Sequence, residues 1–251
     1  MNKISAIILT KNSEKMIPDC LRSLAWIDET LVIDDESKDR TVQVARKNGA
    51  RVLKTVGGSF SDRRNYGAIN AKGDWIFYID SDERVTPGLK REVLKVTRSD
   101  NFGAYAIPRR NIIFGKEMKH CGLWPDYVLR LIKKEKFKGW RGELHEQPKV
   151  AGEIDHLKSP LLHLKHKNIG GMIEKTNEWS EIEARLMFDA HHPKMNVLRF
   201  FSAGFREFIL RMIVQAAFLD GVEGVIYALY QVFSRLISYT KLWEMQLNGS
   251  K

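Results

Sequence analysis

The chain has 251 residues, of which 43% are hydrophobic and 29% charged, the composition of a globular protein with an ordinary core. Its two cysteines, Cys20 and Cys121, are too few for a disulfide or zinc framework, which indicates a reducing compartment. The net charge of +10 favours anionic partners such as nucleotides, phosphorylated glycans, acidic lipids or nucleic acid. The N-terminal apolar run stops at Lys11 without a small-residue cleavage site, so we expect a strand there rather than a signal peptide. No apolar stretch reaches the roughly 18 residues of a membrane span.

The first hundred residues alternate between strand and helix patterns. Apolar runs predict strands at 4–10, 29–34, 51–55 and 75–79, and helical spacing predicts helices at 14–24, 39–48, 61–71 and 87–99. This alternation is typical of a parallel sheet with helices packed on it. The predicted fold class is therefore α/β, with a Rossmann-like, mostly parallel sheet.

The pattern changes from about residue 102. Short strands are predicted at 104–108, 111–115 and 128–132, and residues 109–138 carry nine Lys or Arg against three acids. After His166 the spacing is helical, which predicts helices at 170–188, 197–219 and 222–247. We therefore expect a helical region over 167–251 that follows the α/β part of the chain.

Polar side chains follow three of the predicted strands. They are Thr10 and Asn12 after the first strand, Asp34 and Asp35 after the second, and Asp80, Ser81 and Asp82 after the fourth. Because ligands of open α/β sheets lie at the carboxyl ends of the strands, we expect these side chains to meet at one edge. Two carboxylates spaced by one residue suit Mg²⁺ or Mn²⁺, ions that also bind phosphate oxygens. The alternative is that these two carboxylates are solvent-exposed turn residues that cap the helix near Pro87.

Four segments, in this order and spacing, carry a resemblance to a known family: SAIILTKNSE, LVIDDESKDRT, RRNYGAINAKGDWIFYIDSDE and GELHE. The chain resembles family 2 glycosyltransferases of the GT-A fold, and more narrowly the bacterial branch of lipopolysaccharide core β-1,4-glucosyltransferases. FLDGVEG, near the C-terminus, is similar to a segment of that branch. The resemblance implies a GT-A catalytic domain over 1–166, with a nucleotide-binding half (1–100) and an acceptor half (101–166).

The resemblance also implies a function. It is the inverting, metal-dependent transfer of a sugar, with glucose as first choice, from a UDP-sugar to a lipid-linked glycan such as the lipopolysaccharide core. Another cell-surface polysaccharide or a protein is the alternative acceptor. The implied location is the cytoplasm, or the inner face of the cytoplasmic membrane for a peripherally bound enzyme.

Residue roles follow from the same resemblance. Asp34 matches the acid that contacts uracil or ribose, and Arg64 matches a basic residue near the base, although alone it also fits a solvated helix position. The implied nucleotide-binding residues are Thr10, Asn12, Asp34, Asp35, Arg64, Asp80 and Ser81. The implied ligands of Mg²⁺ or Mn²⁺ are Asp80, Asp82 and His163, although a lone histidine such as His163 also fits a structural role.

Inversion requires a base that accepts the proton of the acceptor hydroxyl. Many relatives use an Asp in an E-D pair, and residues 100–165 contain no such pair. The branch has His-Glu in the segment WRGELHEQP, so Glu146 is the predicted base and His145 orients it or the substrate. Asp126 is the rival base, and a hydrogen-bonded loop pair is the structural alternative for His145 and Glu146.

The C-terminal helices are amphipathic and rich in aromatic residues, and two interpretations are open. They pack on the catalytic domain or on another subunit, as in a homo-oligomer, or they lie in the plane of a membrane with Arg199 and Arg206 at the headgroups and Phe201 and Phe205 in the acyl boundary. The basic segment 109–138 would favour an anionic leaflet.

Two other classes of protein agree less well with the sequence. A nucleic-acid-binding protein fits the charge, but carboxylates at the strand ends would repel phosphates without a metal ion, and no nucleic-acid motif is present. A nucleotidyltransferase would carry a Gly-rich basic loop after the first strand, which ILTKNSEKMIP lacks. The P-loop motif G-x-x-x-x-G-K-[ST] is also missing.

Overall fold

The computed structural model describes residues 2–99, 101–142, 146–166 and 168–248. Two compact units divide the chain. The sheet unit comprises Met1–Arg110 and Asp126–His163, and the helical unit comprises Asn111–Pro125 and Leu164–Lys251. The sequence placed 111–125 with the first part of the chain and set the boundary at 166, so the observed division differs at both points.

The first half of the sheet unit has the predicted alternation. Its strands are β1 (Ile4–Thr10), β2 (Glu29–Asp35), β3 (Arg51–Thr55) and β4 (Trp75–Asp80), and its helices are α1 (Ile17–Ser23), α2 (Thr41–Lys47), α3 (Phe60–Asn70) and α4 (Pro87–Ser99). The four strands are parallel, in the order β3-β2-β1-β4. The predicted α/β class is confirmed, and most predicted bounds lie within three residues of the observed ones.

The strands beyond β4 are mostly antiparallel. They are β5 (Glu83–Val85), β6 (Ala104–Ile113), β7 (Lys116–Glu117), β8 (Asp126–Lys133), β9 (Phe137–Arg141), β10 (Gln147–Val150), β11 (Ile154–His156) and β12 (Leu161–His166). Strand β8 lies between β4 and β6 and is antiparallel to both. The two strands predicted at 104–108 and 111–115 form one strand, β6. The sequence missed β5, β7 and β9 to β12, which are too short or too polar for a periodic pattern.

Strand β4 is the centre of the core. Trp75, Phe77 and Ile79 belong to one buried cluster, and Ile76 and Tyr78 belong to a second one. Alternate side chains of a strand point to opposite faces of the sheet, so both faces of β4 are buried. This explains why the strand is apolar without interruption until Asp80.

The helical unit contains three helices: α5 (Ile169–Asp189), α6 (Val197–Phe208) and α7 (Gly221–Asn248). A π-helical turn, Ile209–Val214, and a 3₁₀ turn, Ala217–Asp220, connect α6 to α7. The predicted helix over 197–219 is therefore wrong in its second half, where Ala216 adopts φ +48° and breaks the helix. Residues 111–125 belong to this unit because Ile113, Met118, Cys121 and Leu123 pack with Met172, Ala217 and Tyr227.

Gly224 allows α7 to pack closely against the 3₁₀ turn. An added Cβ would lie 2.0 Å from the carbonyl oxygen of Ala217, whereas at Gly170 of α5 the nearest atom would lie 3.7 Å away. We expect Gly224→Ala to lower the free energy of unfolding by about 1–3 kcal/mol through overpacking. The control Gly170→Ala should be neutral or stabilising by up to about 1 kcal/mol. Urea denaturation followed by circular dichroism measures both, and equal stability of the two variants would contradict the packing.

Candidate active site

The strand register assembles the polar residues at one edge of the sheet. Thr10 at the end of β1 pairs with Asp34 of β2, and Leu9 pairs with Asp80 of β4. The loops that follow are joined through Asn12, whose φ is +48°: its Oδ1 accepts from the Lys38 backbone N–H at 2.8 Å, and its own N–H donates to Ser37 at 2.9 Å. The strand ends meet as the sequence predicts, and Asn12 acts here by shaping the loops.

Asp34 is buried and only partly satisfied. Its Oδ2 accepts from the Ser37 backbone N–H at 3.2 Å. Its Oδ1 has no hydrogen-bond partner among the described residues, nor has the buried hydroxyl of Thr10, which pairs with it in register. Buried polar atoms are normally hydrogen-bonded, so two such atoms on neighbouring strand ends indicate a place where a ligand supplies the partner.

Asp35, the next residue, has protein partners instead. Its Oδ2 lies 3.1 Å from Lys11 Nζ and 3.1 Å from Arg63 Nη2. Asp35 is buried, and these two cations compensate for its burial. It therefore anchors the loop after β1 and helix α3 to the end of β2, while Asp34 retains the unpaired oxygen.

Four carboxylates and three arginines form an alternating chain of ion pairs across the edge. We call this set the edge network. In spatial order its members are Asp126, Arg109, Glu83, Arg130, Asp80, Arg64 and Glu146. All of them belong to the sheet unit, and each arginine lies between two acids. The carboxylates of Asp80 and Glu83 are thus neutralised by arginines of the same unit.

Arg130 is the central cation of the edge network. It is 3% exposed, its Nη2 lies 2.8 Å from Glu83 Oε1, and the same nitrogen contacts Asp80 Oδ2. Burial alone would raise the pKa of Asp80, but Arg130 and Arg64 outweigh it and hold that pKa well below its ordinary value. Asp80 is therefore a carboxylate at neutral pH, with both oxygens bound by arginines.

Arg64 connects this carboxylate to the predicted base. Its Nη2 lies 3.1 Å from Asp80 Oδ1 and 3.3 Å from Glu146 Oε1. The guanidinium stacks on Trp140, with Cζ 4.4 Å from a ring centre, and Trp140 is itself fixed by two hydrogen bonds to Asn65. Arg64 is buried, so it is not a solvated helix residue.

Asp82 and His163 are paired with each other. His163 Nε2 lies 3.5 Å from Asp82 Oδ2, and the two side chains are 9% and 27% exposed. A carboxylate and an imidazole fit a divalent cation that also takes phosphate oxygens. Among the described residues no group of three or more His, Cys, Asp or Glu side chains is placed to hold an ion. Both carboxylate oxygens of Asp80, the third predicted ligand, contact arginines. Its role as a metal ligand stays a prediction.

The two rival bases differ in how firmly they are held. Asp126 Oδ2 lies 2.9 Å from Nε and 2.7 Å from Nη2 of Arg109. Among the described residues, Glu146 is paired with Arg64 at 3.3 Å, and its side chain is 14% exposed. His145 lies outside the described residues. Ser81, predicted to contact the nucleotide, donates to Ser13 Oγ at 3.2 Å.

The sequence analysis missed the arginines of the edge network other than Arg64. Arg109 and Arg130 were counted only as part of the basic segment 109–138. A signal was available, because Arg130 interrupts the apolar run of β8, and a charge in a buried strand requires a partner. The partners of Arg130 come from two other strands, β4 and β5, which the sequence pattern does not bring together with β8.

The family model described as "Glycosyl transferase family 2" matches residues 5–151, more than half of the chain. The chain belongs to glycosyl transferase family 2. A Rickettsia conorii protein described as an uncharacterized glycosyltransferase is 26% identical over 98% of this chain and 92% of its own length. The Staphylococcus aureus poly(ribitol-phosphate) beta-N-acetylglucosaminyltransferase TarS is 35% identical over 107 residues, which cover 38% of this chain and 18% of that protein.

A solved structure agrees with the fold. Glucosyl-3-phosphoglycerate synthase from Mycobacterium tuberculosis, in complex with Mn²⁺, UDP and phosphoglyceric acid, superposes with a TM-score of 0.51 at 16% identity, covering 77% of this chain and 80% of that one. With the family match, this likeness identifies the mixed α/β architecture as the GT-A fold.

The edge network predicts a large stability effect at its centre. Arg130→Met leaves Asp80 and Glu83 without their shared cation, and we expect the free energy of unfolding to fall by about 3–5 kcal/mol. Arg22→Met, which breaks an exposed ion pair with Asp19 on α1, should cost less than about 1 kcal/mol. Urea unfolding of the two variants at neutral pH measures the difference.

The same variant should alter the response to acid. Because the pKa of Asp80 is lowered in the folded chain, its stabilisation is full above the ordinary value of about 3.9 and is lost as the pH falls toward the lower folded value. Arg130→Met should remove this part of the acid dependence. If the variant were as stable as Arg22→Met, the edge network would not hold the site.

Proposed function

We propose that the protein transfers a sugar, with glucose as first choice, from a UDP-sugar to a hydroxyl of a lipid-linked glycan, with inversion at the anomeric carbon. The observation that carries the donor half of this proposal is the pair of unsatisfied buried atoms, Asp34 Oδ1 and Thr10 Oγ1, in a family 2 domain. A uracil N–H or a ribose hydroxyl would donate the hydrogen bond that Asp34 Oδ1 does not receive from the described residues.

A divalent cation, Mn²⁺ or Mg²⁺, fits the proposal. Asp82 and His163 would hold it, and its chemistry there would be to neutralise the charge of the diphosphate. The Mycobacterium tuberculosis structure with the same fold contains Mn²⁺ and UDP, which supports the choice of ion and nucleotide. Substrate oxygens and water would complete the coordination, as is usual for such ions.

Glu146 is the proposed base. The acceptor oxygen attacks the anomeric carbon, its proton passes to the Glu146 carboxylate, and the bond to the diphosphate breaks with its electron pair leaving on UDP. Glu146 is chosen over Asp126 because its contact with Arg64 is long, 3.3 Å, whereas two nitrogens of Arg109 hold Asp126 within 2.9 Å. One nitrogen of Arg64, Nη2, contacts both Glu146 and Asp80. Arg64 thereby positions the base relative to the D-x-D segment.

The resemblance to lipopolysaccharide core glucosyltransferases favours glucose and that acceptor. The TarS similarity over 107 residues favours N-acetylglucosamine as the second candidate donor. Family membership favours either transferase over a nucleotidyltransferase or a nucleic-acid-binding protein.

The experiment that tests the proposal is donor hydrolysis over a panel of UDP-glucose, UDP-N-acetylglucosamine, UDP-galactose and GDP-mannose, with Mn²⁺ present. We expect UDP release from UDP-glucose above all others. Turnover of UDP-N-acetylglucosamine alone would change the proposed sugar but not the proposed site. Activity confined to GDP-mannose would overturn the choice of a uridine nucleotide.

Asp34 and Asp35 give opposite expectations although they are neighbours. Asp34→Ala should weaken UDP binding by about ten- to a hundredfold, since a hydrogen bond to a charged group contributes about 1.5–3 kcal/mol. It should cost little stability, because the buried carboxylate is only half satisfied. Asp35→Ala should mainly lower stability, since Lys11 and Arg63 lose their partner. Calorimetric UDP titration and urea unfolding measure both properties, and unchanged UDP affinity in Asp34→Ala would remove this residue from the site.

Asp82 should determine the metal dependence. We expect Asp82→Ala to abolish transfer and to remove the increase in UDP affinity that Mn²⁺ produces in the native chain. Asp19→Ala, an exposed carboxylate on α1, is the control and should change stability by no more than about 0.5 kcal/mol. Calorimetry with and without Mn²⁺ gives a readout independent of activity. Full activity of Asp82→Ala, or of the native chain in excess chelator, would exclude the cation.

The two candidate bases are compared with isosteric amides. Glu146→Gln should bind donor normally and lower turnover by about 10²- to 10⁴-fold, the usual contribution of a general base. Asp126→Asn should retain most of the activity. Donor affinity must be measured in both variants to separate loss of the base from misplacement of the loop. An inactive Asp126→Asn beside an active Glu146→Gln would reverse the assignment.

A further inference from the structure

The helical unit has an exposed apolar face that the proposed chemistry does not use. Among the described residues, 13 of the 27 exposed large hydrophobic side chains belong to the stretch 197–233. That stretch is a small part of the chain, so the exposed apolar surface is strongly concentrated there. Soluble monomers rarely expose contiguous apolar patches of this kind without a partner.

The apolar residues form a stripe along each of two helices. On α6 the stripe contains Val197, Leu198, Phe201 and Phe205, which are 67–79% exposed. These positions fall on one side of a 3.6-residue helix, while the buried Ala203, Gly204 and Glu207 fall on another. The stripe is therefore a second face of α6, separate from the face that packs on the protein.

On α7 the stripe contains Val222, Ile226, Leu229 and Phe233, spaced by four, three and four residues. The buried residues Gly224, Tyr227 and Ala228 lie on the opposite side of the same helix. We call the two stripes and the turns between them, over 197–233, the apolar elbow. The connecting turns expose Ile213, Val214, Phe218 and Leu219 in the same way.

The charges of the apolar elbow have one sign where they are exposed. Arg206 is exposed and Arg199 is half-buried. Neither makes an ion pair among the described residues, and their Nε atoms donate instead to the backbone carbonyls of Ser202 and Lys194. Each acid of the same stretch is paired inside the helical unit: Glu207 with Arg211 and Arg235, Asp220 with His120, and Glu223 with Lys116. The surface offered is apolar and cationic.

From this combination we infer that the apolar elbow is a binding surface for an anionic lipid bilayer, in which α6 and the first half of α7 lie in the plane of the interface. Apolar side chains enter the acyl boundary while arginines reach the lipid phosphates, as in interfacial amphipathic helices. Anionic headgroups complement the exposed cations. A second copy of the chain fits less well, because a two-fold contact would bring Arg199 and Arg206 against the same cations with no acid between them.

The helices themselves favour a position in the interface. No single helix among the described residues is long and apolar enough to cross a bilayer. The bent pair Val197–Val214 and Ala217–Asn248, with 60° between its parts, reaches the required length and composition only as a pair. Gly204 allows α6 to lie close on α7 at Leu236, where an added Cβ would be 3.3 Å from a methyl group. The two stripes are thus carried on a packed helix pair.

The test is co-sedimentation of the full chain with vesicles of phosphatidylcholine alone or mixed with an equal part of phosphatidylglycerol. We expect binding to the mixed vesicles only, weakened by molar salt. Phe201→Ser with Phe205→Ser should reduce the partition coefficient by about tenfold or more, since interfacial binding scales with buried apolar area. Ile69→Ser, a substitution of a 78% exposed residue on α3, is the matched control and should bind normally.

A second pair of variants tests the charge and keeps the proposal falsifiable if the first pair fails to fold. Arg199→Glu with Arg206→Glu should abolish the preference for phosphatidylglycerol, whereas Arg91→Glu with Lys95→Glu, the same charge change on α4, should not. Absence of binding by the native chain would overturn the inference, as would equal losses in the controls. Dimers in light scattering that dissociate in the phenylalanine variant would assign the apolar elbow to a second copy. Resistance of bound chain to alkaline carbonate would indicate insertion across the bilayer and exclude the in-plane arrangement.

Discussion

The alternation of carboxylates and buried arginines at the carboxyl edge of the sheet is the interaction on which the site depends. Burial disfavours an isolated charge strongly, and Arg130 lies between the carboxyl groups of Asp80 and Glu83. The same requirement extends outward through Arg64 to Glu146 and through Arg109 to Asp126. One constraint therefore sets the positions of the D-x-D segment and of both candidate bases.

The neighbouring carboxylates Asp34 and Asp35 differ in how their oxygens are bonded. Asp35 is compensated by two cations, whereas its neighbour Asp34 keeps one buried oxygen without a hydrogen-bond partner among the described residues. This contrast between two neighbouring carboxylates supports the proposal that Asp34 binds the donor. The pair of Asp82 and His163 supports the proposed cation.

The sequence predicted the parallel half of the fold because the hydrophobic periodicity there agrees with the final packing. The strand-end residues Thr10, Asp34 and Asp80 were also predictable, since parallel register brings such ends together. The arginine partners were not, because the pairing of Arg130 with Asp80 joins residues 50 positions apart on antiparallel strands. The end of α6 was missed for a different reason: apolar periodicity continues through the π-helical turn and Ala216, where the backbone leaves the helix.

Hydrogen–deuterium exchange with and without UDP and Mn²⁺ tests most directly whether this edge is the donor site. Exchange reports the opening of individual backbone segments, so it locates a ligand without relying on turnover. The account predicts slower exchange in peptides that cover residues 10–13, 34–38 and 80–83, with residues 197–233 unchanged. Protection confined to 197–233, or no protection at a concentration of UDP that saturates binding, would contradict it.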